Sequence, residues 1–268
     1  MYKAYVNTFW RAAVGGMALA LAGCGGPGPG FNAAGTLPGA RPGAYKATEA
    51  TEHAQNFPIH GIDVSYYQGN VDWMAVHEGG VHFAYIKATE GGDRIDPKFF
   101  QNWQGAKAAG LPHGAYHFVY WCRPWQEELA LFEKTAPREP DALPPVLDVE
   151  ATPTSKTCRR HLERDQTLAE IKAMLLEMER FYGKRPIIYT TVDFHEAIFH
   201  DNALSEYPMW IRSTKNKPDV RYGDRNWHFW QYQSDGWVKG VATRVDRNTF
   251  AGDAKEWQAW LQANGVAR

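Results

Sequence analysis

Pro145-Val146-Leu147-Asp148-Val149-Glu150 is a short apolar run that ends on two acids. Such a run behind a proline reads as a strand. Helical patterns flank it. Pro124 to Thr135 opens with proline in its first turn, and Leu162 to Tyr182 places Leu168, Ile171, Leu175, Met178 and Phe181 on one face before Gly183 closes it. The alternation extends upstream. Ile59 to Val64, Val81 to Ala88 and Gly114 to Val119 read as strands, with helices near Asp72 to His77 and over Pro97 to Ala109, the latter stopped by Gly110. Downstream, Ile187 to Thr190 is a further strand. Beyond it Met209 to Arg212, His228 to Gln233 and Thr243 to Asn248 read as strands without full helices between them. A last helix, Asp253 to Gln262, has Asp253 as its N-cap. Repeated βα units followed by bare strands predict an α/β barrel, regular at first and irregular at its end.

Residues 58–268 fit one such globular domain, and the first 57 residues read differently. Lys3 and Arg11 precede a short apolar and small run, Ala12 to Ala22, too brief to span a bilayer. It ends in Leu21-Ala22-Gly23-Cys24, which resembles the lipobox of bacterial lipoproteins. That resemblance implies a signal peptide over residues 1–23 and lipidation of Cys24. An ordinary signal peptide with an incidental cysteine is the plainer alternative. Residues 25–57 carry Gly-Pro repeats and no hydrophobic period, as a flexible tether would. The chain is therefore expected to be exported and lipid-anchored to a bacterial membrane, facing the periplasm in a Gram-negative cell. In that oxidising setting Cys122 and Cys158 fit either a disulfide or two separate thiols.

A hydrophobic content of 44% and a charged content of 22% suit a soluble core. The net charge of −1 supplies no footprint for nucleic acid. Aromatics are abundant, with 11 Trp, 13 Tyr and 13 Phe. Trp73, Trp103, Trp257 and Trp260 fall at helix-face spacing and read as core. Trp230, Trp121, Trp125 and Trp237 fall where the walls of a sugar-binding cleft would stand, and Trp227 fits neither set.

The chemistry gathers at strand ends, where barrel enzymes carry their sites. Asp148 and Glu150 share one strand face, about 6–7 Å apart at Cα. Two carboxyls facing one space raise each other's cost of ionising, so one keeps its proton near neutral pH. Glycoside hydrolysis uses that pairing. Asp63 ends the first strand in Gly61-Ile62-Asp63-Val64-Ser65-Tyr66-Tyr67-Gln68-Gly69. Asp246 is expected to end the last, in Arg244-Val245-Asp246-Arg247-Asn248-Thr249-Phe250. First and last strands of a closed barrel are neighbours, so four acids converge on one mouth. His195-Glu196-Ala197-Ile198-Phe199-His200 looks like a zinc-protease helix, but its histidines are five apart instead of four. No phosphate-binding glycine loop or nucleophile elbow is present.

These segments, with Lys87-Ala88-Thr89-Glu90-Gly91, Gly114-Ala115-Tyr116-His117-Phe118, Ile188-Tyr189-Thr190 and Phe229-Trp230-Gln231-Tyr232-Gln233-Ser234, resemble glycoside hydrolase family 25 over residues 59–250. The resemblance implies an irregular TIM-like (β/α)5(β)3 barrel that cleaves the β-1,4 bond between N-acetylmuramic acid and N-acetylglucosamine with retention. Glu150 matches the general acid, Asp148 the second catalytic carboxylate, and Asp63 and Asp246 two further cleft acids. Asp148 either attacks directly or orients the substrate's own N-acetyl group, the second being favoured. Tyr116, Tyr189 and Trp230 match aromatic positions around the substrate, and Glu90, Trp210 and Gln231 are expected to contact it too. No cofactor or metal is implied, and the expected partners are peptidoglycan strands and the membrane, for a monomer.

Several segments depart from the family pattern, the loops after Trp121 and Glu150 among them. Trp210-Ile211-Arg212-Ser213-Thr214-Lys215 replaces a small residue followed by an aromatic, and Lys87 stands where arginine is common. Arg212 and Lys215 either add positive charge to the cleft or form a solvated loop. Two other functions compete with a muramidase. One is an idle barrel that tethers peptidoglycan; the other is hydrolysis of a different N-acetylhexosamine polymer.

Overall fold

The computed structural model describes residues 47–152, 155–158 and 160–266. The signal segment, Cys24 and residues 25–46 of the expected tether lie outside the described residues. Eight strands close into a barrel. In chain order β1 (His60–Val64), β2 (Phe83–Glu90), β4 (His113–Phe118), β5 (Val146–Val149), β6 (Ile187–Thr191), β7 (Met209–Arg212) and β8 (Phe229–Gly236) run parallel. The last strand, β9 (Val245–Phe250), is antiparallel to both β8 and β1 and completes the ring. The two-residue β3 (Arg94–Ile95) folds back on the end of β2, outside the barrel.

Helices α2 (Trp73–Glu78), α3 (Phe99–Ala108), α4 (Trp125–Thr135) and α5 (Arg164–Tyr182) make the crossovers among the early strands. The later links are not bare. α6 (Val192–Phe194) runs into a single π turn before β7, and α7 (Pro218–Tyr222) precedes β8. Both are shorter than two helical turns, so no apolar period could announce them.

The barrel is filled from its base. Tyr85 and Trp210 lie 5.0 Å apart and Phe83 and Phe229 5.2 Å apart at their ring centroids, all inside the ring. A Cβ on Gly61 would stand 2.4 Å from the Phe83 ring, and one on Gly114 2.5 Å from Tyr85, so only glycine fits opposite these rings. Helix α8 (Ala254–Ala263), capped by Asp253 in a capping box with Glu256, lies across this end. Its Trp257 reaches Phe83 at 5.4 Å and Phe250 at 5.2 Å, which plugs the base and leaves the opposite mouth open. Outside the ring Leu147, Val149 and Ile188 meet Phe132, Ile171, Leu175 and Met178, all buried. Burial on both faces is why Val146 and Leu147 are both apolar, the alternation beginning only at Asp148 near the mouth.

The tether expected over residues 25–57 is corrected at its end. Helix α1 (Glu49–His53) and a 3₁₀ turn (Ala54–Asn56) pack onto the barrel. The Ala50 amide donates to the Lys215 carbonyl (3.2 Å), the Thr48 hydroxyl to the Thr214 carbonyl (3.1 Å), and the Asn216 amide to the Glu49 carboxylate (3.1 Å). His53 and Phe57 close over the Trp230 ring at 6.0 and 6.4 Å. No long helix follows β8, so its outer face needs a cover, and this segment supplies one. Cys122 and Cys158 are bonded, with Cα atoms 5.5 Å apart, which ties the loop after β4 to the loop after β5. Among the described residues no helix is long and apolar enough to cross a membrane.

Candidate active site

Alternation along the strands sends every second side chain into the ring, and at the open mouth those side chains are polar. They enclose a cavity of about 290 Å³ lined by Asp63, Lys87, Tyr116, Phe118, Asp148, Glu150, Tyr189, Trp210, Arg212, Gln231 and Asp246, with Tyr67 at its edge. The four acids meet, as expected. Asp246 arrives by a different route: β9 runs antiparallel, so Asp246 begins its strand instead of ending it. It sits directly opposite Asp63 in the β1–β9 register.

Asp63 is held by two amides. Its Oδ2 accepts from Gln231 Nε2 (3.0 Å) and Asn248 Nδ2 (2.8 Å). Each amide is oriented from behind, since the Tyr189 hydroxyl donates to Gln231 Oε1 (3.0 Å) and the Trp210 indole N–H to Asn248 Oδ1 (2.9 Å). Burial raises the Asp63 carboxyl above the usual range, and the two amide donors pull it back. Asn248 is missing from the sequence expectation, although it shares a strand face with Asp246 two residues earlier.

Burial pushes Asp148 well above the ordinary carboxylate range, and the neighbouring Glu150 charge pushes it further. Burial also raises Glu150, while the Arg212 guanidinium draws it down. Each carboxyl is thus harder to ionise than a solvated one, and the charge on Glu150 makes the proton on Asp148 harder to remove. Asp246, raised first by burial and then by the Asp63 charge, is pushed up to about 9. Asp148 Oδ1 is buried and has no hydrogen-bond partner within the described protein.

The positive charges divide. Arg212 lines the cavity, whereas Lys215 lies away from it, its carbonyl engaged by α1. Lys87 reaches the cavity wall and pairs with Glu90 at 2.6 Å.

Five expected positions are corrected. Glu90 stands outside the cavity wall, engaged by Lys87 and by Arg94 at 3.5 Å. Trp230 points outward from β8 and is fully buried beneath α1, its indole N–H donating to the Ser213 carbonyl (2.9 Å). Strand alternation requires this, because Gln231 beside it points inward. Trp121 is buried too, stacked on Phe194 at 5.5 Å. Trp125 is half-buried against the outer core, and Trp237 is half-exposed outside the cavity lining. Tyr116, Tyr189, Trp210 and Gln231 stand in the cavity as expected. The sequence reading missed Tyr66 and Tyr67, whose ring centroids lie 4.1 Å apart with planes tilted by 32°, on the turn after β1. Tyr67 is 70% exposed at the cavity edge, where a sugar face could lie against it. His195 is buried against Tyr222 at 4.9 Å while His200 sits at the surface on Asp201, so the two share no site.

Residues 62–241 match the family model for glycosyl hydrolases family 25. Over 215 residues the chain is 35% identical to the uncharacterized protein YegX of Escherichia coli strain K12, covering 77% of this chain and 74% of that one. Lysozyme M1 of Streptomyces globisporus is 32% identical over 243 residues, 85% of this chain and 80% of its own. The crystal structure of a bacterial lysozyme from Streptomyces coelicolor aligns with a TM-score of 0.70 at 33% identity, covering 78% of this chain and 98% of that one.

Proposed function

The chain belongs to glycosyl hydrolases family 25 and is a glycoside hydrolase, and on that premise we propose that it is a muramidase. Its substrate in this reading is the β-1,4 bond between N-acetylmuramic acid and N-acetylglucosamine in peptidoglycan. The observation that carries the reading is the meeting of four acids in one cavity, Asp63 and Asp148 buried and Glu150 and Asp246 half-buried, with Arg212 and two oriented amides. Burying like charges together is costly, and a surface that only binds glycan has no use for the expense.

Glu150 acts as general acid, giving its proton to the glycosidic oxygen as the bond to the anomeric carbon breaks. Arg212 favours the carboxylate that results, which then takes a proton from the incoming water in the second step. Asp148 orients the substrate's 2-acetamido group, whose carbonyl oxygen attacks the anomeric carbon. The unpartnered Asp148 Oδ1 is a ready acceptor for the acetamido N–H. Asp63, fixed by Asn248 and Gln231, faces the positive charge that develops on the ring. Two inversions at one carbon give net retention.

The test is release of reducing ends from purified peptidoglycan by the full chain. Glu150→Gln is expected to lower the rate roughly a thousandfold while leaving the fold intact. A tethering barrel would instead sediment with peptidoglycan and release nothing. Hydrolysis of a different N-acetylhexosamine polymer would be excluded by offering chitin oligomers, which are expected to remain uncut. Anchoring through Cys24 belongs to the same reading, and Cys24→Ser is expected to move the protein from the membrane fraction to the soluble one.

A further inference from the structure

Glu150 stands one residue beyond β5, where the sheet no longer holds its main chain. The β4–β5 pairing ends at Phe118 with Asp148, and the β5–β6 pairing ends at Val149 with Thr190. The tie at Glu150 comes from elsewhere: the indole N–H of Trp121 donates to the Glu150 carbonyl at 2.7 Å. Trp121 is buried and does not line the acid-bearing cavity, bordering instead a second one with Ala151, Phe194 and Ile198, so in the catalytic mouth it is placed to act on the acid and not on the sugar.

Trp121 is itself fixed from several sides. Its ring stacks on Phe194 with planes 17° apart. Its carbonyl accepts from Arg160, whose guanidinium forms a two-pronged pair with Glu170. The next residue, Cys122, is bonded to Cys158. The preceding amide, Tyr120 N–H, donates to Glu128 Oε2 at 3.0 Å. That same oxygen receives His117 Nε2 at 2.9 Å, and His117 Nδ1 meets the Thr89 hydroxyl at 2.7 Å. Thr89, His117 and Glu128 are fully buried on the outer face of the barrel and join β2, β4 and α4. A buried carboxylate bonded to both an imidazole and a main-chain amide is a demanding arrangement to keep for packing alone.

We propose that Trp121 is a positioning residue for the general acid: its indole N–H holds the main chain of Glu150, and the Thr89–His117–Glu128 set holds Trp121. The inference rests on the muramidase reading for the role of Glu150. A misplaced acid lowers the rate of proton transfer without altering how the glycan is bound, since none of these groups lines the cavity.

Three variants of the full chain, Trp121→Phe, Glu128→Gln and the double, are to be assayed on peptidoglycan beside wild type and Glu150→Gln. Trp121→Phe keeps an aromatic ring for Phe194 and loses the donor together with the five-membered part of the indole. It is expected to lower kcat about tenfold with KM within about twofold of wild type. Glu128→Gln is expected to do the same more weakly, and the double variant to be no slower than Trp121→Phe, because both act through one tie. Unchanged kcat in a folded Trp121→Phe protein would overturn the proposal. So would a raised KM at unchanged kcat, which would make Trp121 a wall of the cleft, and so would additive losses in the double variant. Hydrogen exchange at the Trp121 indole covers variants that fail to fold. Slow exchange in wild type, and faster exchange in Glu128→Gln where that variant is folded, support the tie, while rapid exchange in wild type contradicts it. An inactive wild type, or an active Glu150→Gln, would overturn the muramidase reading instead, and the exchange measurement would still judge the tie.

Discussion

Asn248 connects two residues that the mechanism needs in fixed places, since it gives its amide N–H to Asp63 and takes the indole N–H of Trp210. Asn248→Ala leaves both without that partner. Losing a hydrogen bond to a buried group costs roughly 1–3 kcal/mol. The same substitution removes a donor that restrains the Asp63 pKa, so that carboxyl is expected to rise further and be less ionised near neutral pH. Urea unfolding is expected to register a loss of that size, and kcat/KM on peptidoglycan to fall about tenfold. The acids themselves were legible in the sequence, because a strand ending in Asp-x-Glu has only one face on which to put both. Their supports were not. Asn248 and Gln231 matter through the partners they meet across the barrel, and the sequence separation of 185 between Asp63 and Asn248 leaves no local trace of that contact.

At the scale of elements, the long helices and early strands follow from periodicity, whereas the covering of β8 does not. Residues 47–57 have few apolar side chains and no period, yet Ala50 and Ala54 are fully buried and Phe57 closes on Trp230 and Trp227. What organises them is a gap on the barrel's outer face that becomes visible only once β8 is known to lack a long helix. The misplacement of Trp230 has the same origin, because an aromatic beside a cleft glutamine must point the opposite way on the strand. Removing residues 1–57 is therefore expected to expose Trp230 and destabilise the domain by roughly 3–5 kcal/mol, as for loss of large buried contacts. That corresponds to about 10 °C in Tm for a domain of this size. Removal of residues 1–46 alone is expected to leave Tm within about 2 °C, as both melting curves would show.

For the molecule as a whole, the barrel was legible and the direction of its closing strand was not. Hydrophobic alternation is the same read in either direction. The link from Gly236 to Val245 gives the direction, being too short for the crossover of a dozen or more residues that a parallel strand requires. That reversal sets Asp246 opposite Asp63, and it shapes the pH response. Asp246 moves from 3.8 to about 9 on folding, so the folded chain binds this proton more tightly than the unfolded one. Its contribution is complete below about pH 4 and is lost as pH rises toward about 9. His195, lowered by burial to about 4, works in the other direction, with its contribution present above about pH 6.5 and lost as pH falls. Between pH 6.5 and 9 the acid dominates. Wild-type Tm is expected to decline across that interval, and Asp246→Asn to flatten the decline and melt higher than wild type at pH 8. Equal slopes in the two proteins would remove Asp246 from the account.

The central claim is that the mouth of this barrel cuts on the reducing side of N-acetylmuramic acid, with Glu150 supplying the proton. Peptidoglycan digested by the full chain, then reduced with borohydride and hydrolysed, reports which sugar carried each new end. The account predicts muramitol from wild type and none above background from Glu150→Gln. Glucosaminitol in place of muramitol, or muramitol released by Glu150→Gln at the wild-type rate, would contradict it.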